Sequence, residues 1–113
     1  MKKVRLTDLQ IKILEHRLEV PDAIAEALEE DYERVADVAE TLYVRIRTYH
    51  EAFVVDDLEE RVLLDAVDGS TYWACAKSDG TGPLQMRNIE RSIESLADKI
   101  SELTGQDVDP VLW

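Results

Sequence analysis

His16, His50 and Cys75 are the side chains of this chain best suited to hold a metal or attack a carbonyl. Their placement supports neither. They lie far apart, there is no Cys-x-x-Cys, and HEAF at residues 50–53 lacks the second His of a zinc-protease helix. Cys75 sits among Trp73, Ala74 and Ala76, an apolar and inert setting. DAVDGS at residues 65–70 offers too few oxygens for a calcium loop, and SDGTGP at residues 78–83 is not a phosphate-cradling glycine loop. His50 can pair with Glu51 or Asp57, but no spacing forces it. Ser70 and Thr71 read as helix caps. The expectation is no metal, no cofactor and no catalytic residue. A small carboxylate enzyme is a lesser alternative, and it requires a cleft holding two unlike acids.

Carboxylates are what the chain has in excess. Its 113 residues carry 25 acidic and 13 basic side chains, a formal net charge of -12. The excess is concentrated: residues 19–40 hold nine acids and one base, and residues 51–68 hold seven acids and one base. Such a chain repels bare nucleic acid and anionic membranes and attracts basic surfaces. Within EALEEDYERVADVAE, residues 26–40, Glu26, Glu30, Glu33, Asp37 and Glu40 step by four, three, four and three. On a helix they form one ridge opposite the apolar stripe. A solvated helix face is the plain explanation. Against it, neighbouring acids repel by ~0.2–0.5 kcal/mol per pair, and only Arg34 is interspersed. Rows of carboxylates can instead stand in for phosphates before a protein that binds nucleic acid. The partner-binding expectation therefore covers Glu26, Glu29, Glu30, Glu33, Asp37 and Glu40, extended by Asp56, Asp57, Glu59 and Glu60.

The elements that must carry these acids read as helices. Thr7 is an N-cap with Gln10 as its capping-box partner, and Leu6 and Ile11 fit a hydrophobic staple. This helix should end near Leu18, because Pro21 disfavours helical geometry at Val20. Pro21 suits the first turn of the next. From there Ile24, Leu28, Tyr32, Val35, Ala39, Leu42, Ile46, Tyr49 and Phe53 hold helical spacing without a phase slip, which argues for one long helix over a break near Glu30 and Asp31. Arg45 and Arg47 are expected to pair with acids on the surface. Asp56 and Glu59 make a second possible capping box ahead of Leu58, Val62, Leu63, Ala66 and Val67, and Gly69 would stop that helix.

Asp-Gly in AVDGST also fits a hairpin over about residues 62–76, with ERVLLDAV and STYWACA as strands. A short helix ending at Lys77 is the competing assignment. Tyr72 and Trp73 fit core filling better than an exposed hot spot. Met86, Ile89, Ile93, Leu96, Ile100 and Leu103 mark a last helix, closed by Gly105. Val111, Leu112 and Trp113 form an apolar tail that folds back or offers a sticky end. No internal repeat is present. The fold expectation is one domain, residues 1–113: an all-α compact bundle of four to five helices with one long acidic amphipathic helix. The alternative is α+β with the hairpin.

LTDLQIKILEHRLEVPDAIAEAL and LLDAVDGSTYWA resemble segments of small uncharacterised proteins of bacteriophage and prophage genomes, over about a third of the chain. That resemblance implies a context: small acidic phage proteins that inhibit host defence or nucleic-acid machinery by direct binding. The combined expectation is a non-enzymatic, anti-CRISPR-like inhibitor or DNA mimic in the host cytosol, engaging the basic surface of a nucleic-acid-binding protein. No apolar h-region follows the basic start, and no apolar run reaches the ~20 residues that span a bilayer. One alternative is a helix-turn-helix regulator opening at residues 6–18, supported by Lys2, Lys3 and Arg5. Another is a structural or homodimeric component burying the stripe of residues 86–103, or the tail, between subunits.

Overall fold

Thr7 starts the first helix as its spacing demands. Its hydroxyl accepts from the Gln10 N–H at 3.2 Å, and its own N–H donates to Gln10 Oε1 at 3.0 Å. The computed structural model describes residues 2–68 and 83–108, the side chains of 83–86 excepted. Among these residues lie five helices: α1 (Asp8–Leu18), α2 (Pro21–Leu28), α3 (Tyr32–Tyr49), α4 (Asp57–Asp68) and α5 (Pro83–Thr104). Strands β1 (Val4–Arg5) and β2 (Glu51–Ala52) pair antiparallel, Val4 opposite Ala52, and clip the N-terminal segment to the turn after α3. The protein is an all-α bundle carrying this one small sheet.

Ile13, Leu14, Ile24, Val35, Leu42, Ile46, Leu63, Ile93, Leu96 and Ile100 are fully or almost fully buried in one core cluster drawn from all five helices. Ile89, Ile93, Leu96 and Ile100 of the α5 stripe are spent in this core, so these four are not free to bury a subunit contact. Gly105, at φ 73°, ends α5, and its N–H returns to the Ser101 carbonyl. Buried Gln10 ties α1 to α5. Its Nε2 donates to the Ser92 carbonyl at 3.2 Å, and its Oε1 accepts from Lys99 Nζ at 2.8 Å.

The long helix expected after Pro21 is two helices. Glu29 takes a left-handed conformation (φ 55°, ψ 40°), the Glu30 N–H closes back on the Ala25 carbonyl at 3.1 Å, and Asp31 caps α3 through the Arg34 N–H. Helix α3 alone has 18 residues, ~27 Å at ~1.5 Å each. The break also corrects the apolar stripe: Tyr32 opens α3 and is 51% exposed, and Tyr49 closes it at 61% exposed.

The hairpin alternative fails at its first strand. Residues 57–68 form α4, because Val62, Leu63, Ala66 and Val67 share one buried helical face, which a period-two strand cannot supply. The Glu59 N–H donates to Asp56 Oδ1 at 2.8 Å, so Asp56 caps α4 as expected. The expectations for Gly69, Ser70, Thr71, Tyr72, Trp73, Cys75, Lys77 and the tail from Val111 to Trp113 lie outside the described residues.

Candidate acidic binding face

Helix α3 presents the clearest group of exposed acids. At ~100° per residue, Glu33, Asp37 and Glu40 fall within an arc of about 60°, roughly 160° from the centre of the buried stripe Val35–Ala39–Leu42–Ile46. All three are exposed. Glu26, on α2, and Glu29, in the turn, are exposed as well. Among the described residues, no Lys or Arg lies within ion-pair distance of these five carboxylates.

Two of the expected acids are engaged inside the fold. Glu30 is half-buried and bridges two guanidiniums, Arg61 at 3.0 Å and Arg34 at 3.8 Å. Arg61 also donates to the Leu28 carbonyl at 3.3 Å, placing a cation at the C-terminus of α2 where the helix dipole favours it. This contact holds α4 against the α2–α3 turn and takes Glu30 out of the ridge. The ridge is therefore interrupted between Glu29 and Glu33.

Glu59 departs further from expectation. It is 6% exposed, with its Oε1 2.6 Å from Arg45 Nη1 and its Oε2 3.4 Å from Nη2. It also accepts the Val55 N–H at 3.1 Å, in place of the Asp56 N–H that a standard capping box would use. Arg45 donates to the Phe53 carbonyl at 2.9 Å and lies 4.4 Å from the centre of the Phe53 ring. Glu59 is thus a buried clasp between α3 and α4, not a surface acid. The expected surface pairing of Arg45 is corrected with it, while Arg47 does pair at the surface with Glu15 at 3.5 Å. Asp56 and Asp57 remain exposed and Glu60 half-exposed at the start of α4.

A cleft of about 320 Å³ gathers acids that the sequence did not bring together: Asp65, Asp68 and Asp107, beside Arg61. Burial lifts the Asp65 carboxyl above its usual range, outweighing the Arg17 guanidinium 3.2 Å away, and Asp68 adds to the rise. Unlike acids in one cleft can perform acid–base chemistry. Here Asp65 is committed to Arg17, whose side chain is itself largely buried. Among the described residues no three His, Cys, Asp or Glu side chains are placed to hold a metal. His50 is the exposed left-handed residue that closes α3, and His16 is half-buried in α1. No helix among the described residues is long and apolar enough to cross a membrane. Comparison with family models, with curated proteins and with solved structures finds no match.

Proposed function

We propose that this chain is a non-enzymatic binding protein whose acidic face engages a basic surface of a nucleic-acid-handling protein, as an inhibitor that occupies the place of nucleic acid. The supporting observation is the group Glu33, Asp37 and Glu40, exposed together opposite the buried seam of α3, with no Lys or Arg within ion-pair distance among the described residues. Glu26 on α2 and Glu29 in the turn before α3 are further exposed acids, separated from this group by the break at Glu30. Asp56, Asp57 and Glu60 form a second acidic site at the start of α4. Charges so exposed act mainly on encounter and specificity, and salt screens them over ~8–10 Å.

The test is capture from a bacterial lysate at low and high salt, with duplex DNA as competitor. The wild-type chain should retain a basic protein that salt and duplex DNA both release. The variant Glu33→Lys/Asp37→Lys/Glu40→Lys should lose it. Undiminished capture by that variant refutes the proposal.

The three-residue turn with Glu29 left-handed favours one second reading, a helix-turn-helix DNA-binding regulator with α3 in the major groove. Against it, the exposed positions in the first turns of α3 include Glu33, Asp37 and Glu40. Carboxylates there face phosphates and the acceptor atoms of guanine, which want Arg or Lys. A mobility-shift titration on random-sequence duplex separates the two: retardation at low salt favours the regulator.

A further inference from the structure

Beside the acids of α3 runs an apolar flank. Tyr32, Ala36, Tyr43 and Val44 face Leu18 and Pro21 at the α1–α2 corner across a groove of about 430 Å³. That is within the ~300–1,000 Å³ range of pockets that take small ligands. Tyr32 and Val44 are 51% and 55% exposed, and Val20 in the corner itself is 49% exposed. Tyr32 and Val44 both line the groove, and Val20 lies in the α1–α2 link between two of its lining residues, Glu19 and Pro21. Isolated exposed apolar residues need no explanation, but exposed apolar side chains that line one groove with a charged border fit a contact surface.

The border of the groove is acidic. Glu19 and Glu40 line it, and Glu33 and Asp37 lie next to it on α3. Arg47, on the same flank, is already held by Glu15 at 3.5 Å and by the Tyr43 hydroxyl at 2.9 Å. An occupant must therefore bring apolar side chains for the floor and cations for the rim. A second copy of this chain brings a net charge of -12 of its own and is repelled. A purely cationic strand would leave the floor wet.

We propose that the groove docks a basic amphipathic helix of the partner protein, with apolar anchors at helical spacing and Lys or Arg on either side. This rests on the reading that the acidic face meets a basic partner. It adds what that reading lacks, an apolar anchor point at one edge of the face, and with it the chemistry of the recognised segment.

The probe is a labelled synthetic helix with Leu and Trp along one face and Lys and Arg elsewhere. Its control has the same composition with the apolar residues scattered around the axis. Binding of each to the full chain is followed by fluorescence anisotropy. The amphipathic helix should bind at least about tenfold more tightly than the control, a difference of ~1.4 kcal/mol. Tyr32→Ser/Val44→Ser should abolish that preference while leaving the circular dichroism melt within a few degrees of wild type. Equal binding of both peptides, weakened by Glu33→Lys/Asp37→Lys but not by the serine variant, overturns the groove and leaves the acidic face standing. Binding of neither peptide overturns both. Sedimentation that shows a wild-type dimer lost in the serine variant assigns the groove to a second copy and also overturns the proposal.

Discussion

Arg45→Met cuts the clasp between α3 and α4 and tests the reassignment of Glu59. Arg45 and Glu59 have side chains 13% and 7% exposed and meet at 2.6 Å. Removing the guanidinium leaves Glu59 with the Val55 N–H alone, takes the donor from the Phe53 carbonyl, and leaves the Phe53 ring with Lys3 as its remaining cation. Breaking one side of a buried pair costs ~3–5 kcal/mol, because the other charge stays buried without compensation. A domain of this size has ~5–15 kcal/mol in all. At ~4 °C per kcal/mol, the melting temperature should fall by about 10–20 °C. Denaturant unfolding followed by helical circular dichroism measures the cost directly. Arg45→Met/Glu59→Leu should recover to within ~1 kcal/mol of wild type, since an apolar replacement of the whole pair leaves no stranded charge. A loss under ~1 kcal/mol for Arg45→Met alone would refute the reasoning. The pair would then be hydrated, and Glu59 would return to the set of acids open to a partner.

Thr7→Ala removes the hydroxyl that accepts the Gln10 N–H, while the backbone N–H that donates to Gln10 Oε1 stays, and should cost ~0.5–2 kcal/mol in the same unfolding assay. An unchanged midpoint refutes the role of the cap. Glu29→Gly relieves a side chain held at φ 55° and should stabilise the fold by up to ~1 kcal/mol, with weaker capture of the basic partner if Glu29 belongs to the face. Asp65→Asn tests the buried carboxyl. Its native pKa is raised, so the folded state holds the proton more tightly than the unfolded chain does. This group therefore weakens the fold as pH climbs from ~3.9 through the raised native value. Across that window the wild type should lose stability relative to Asp65→Asn, and a slope of opposite sign refutes the assignment.

Much of the helical plan was legible because local signals carry it. Thr7 and Gln10 cap, Pro21 opens and Gly105 closes where short-range chemistry says they should. The stripe from Ile89 to Ile100 buries as its spacing demands. The break at Glu29 was hidden for a physical reason. The step of four from Leu28 to Tyr32 continues the helical spacing across a turn that is not helical, and the left-handed residue is a glutamate where glycine would have signalled it. The candidate face was legible only as far as one helix reaches. Periodicity grouped Glu33, Asp37 and Glu40 correctly. It could not show that Arg61, 31 residues beyond Glu30, and Arg45, 14 residues before Glu59, would claim two of the acids. Nor could it show the Asp65 cleft, whose walls come from separate parts of the chain.

The amide of Gln10 has a consequence for any redesign of the bundle. A capping box accepts glutamine or glutamate equally well, since both supply an acceptor oxygen. At this position one group must receive two protons' worth of hydrogen bonding, from the Thr7 N–H and Lys99, while giving one to the Ser92 carbonyl. Of these two side chains only the carboxamide is both giver and receiver at neutral pH. The isosteric acid would strengthen the tie to Lys99 and turn the Ser92 contact into oxygen facing oxygen. The choice between these two look-alike residues is thus made by a helix more than eighty positions away, not by the turn in which the residue sits.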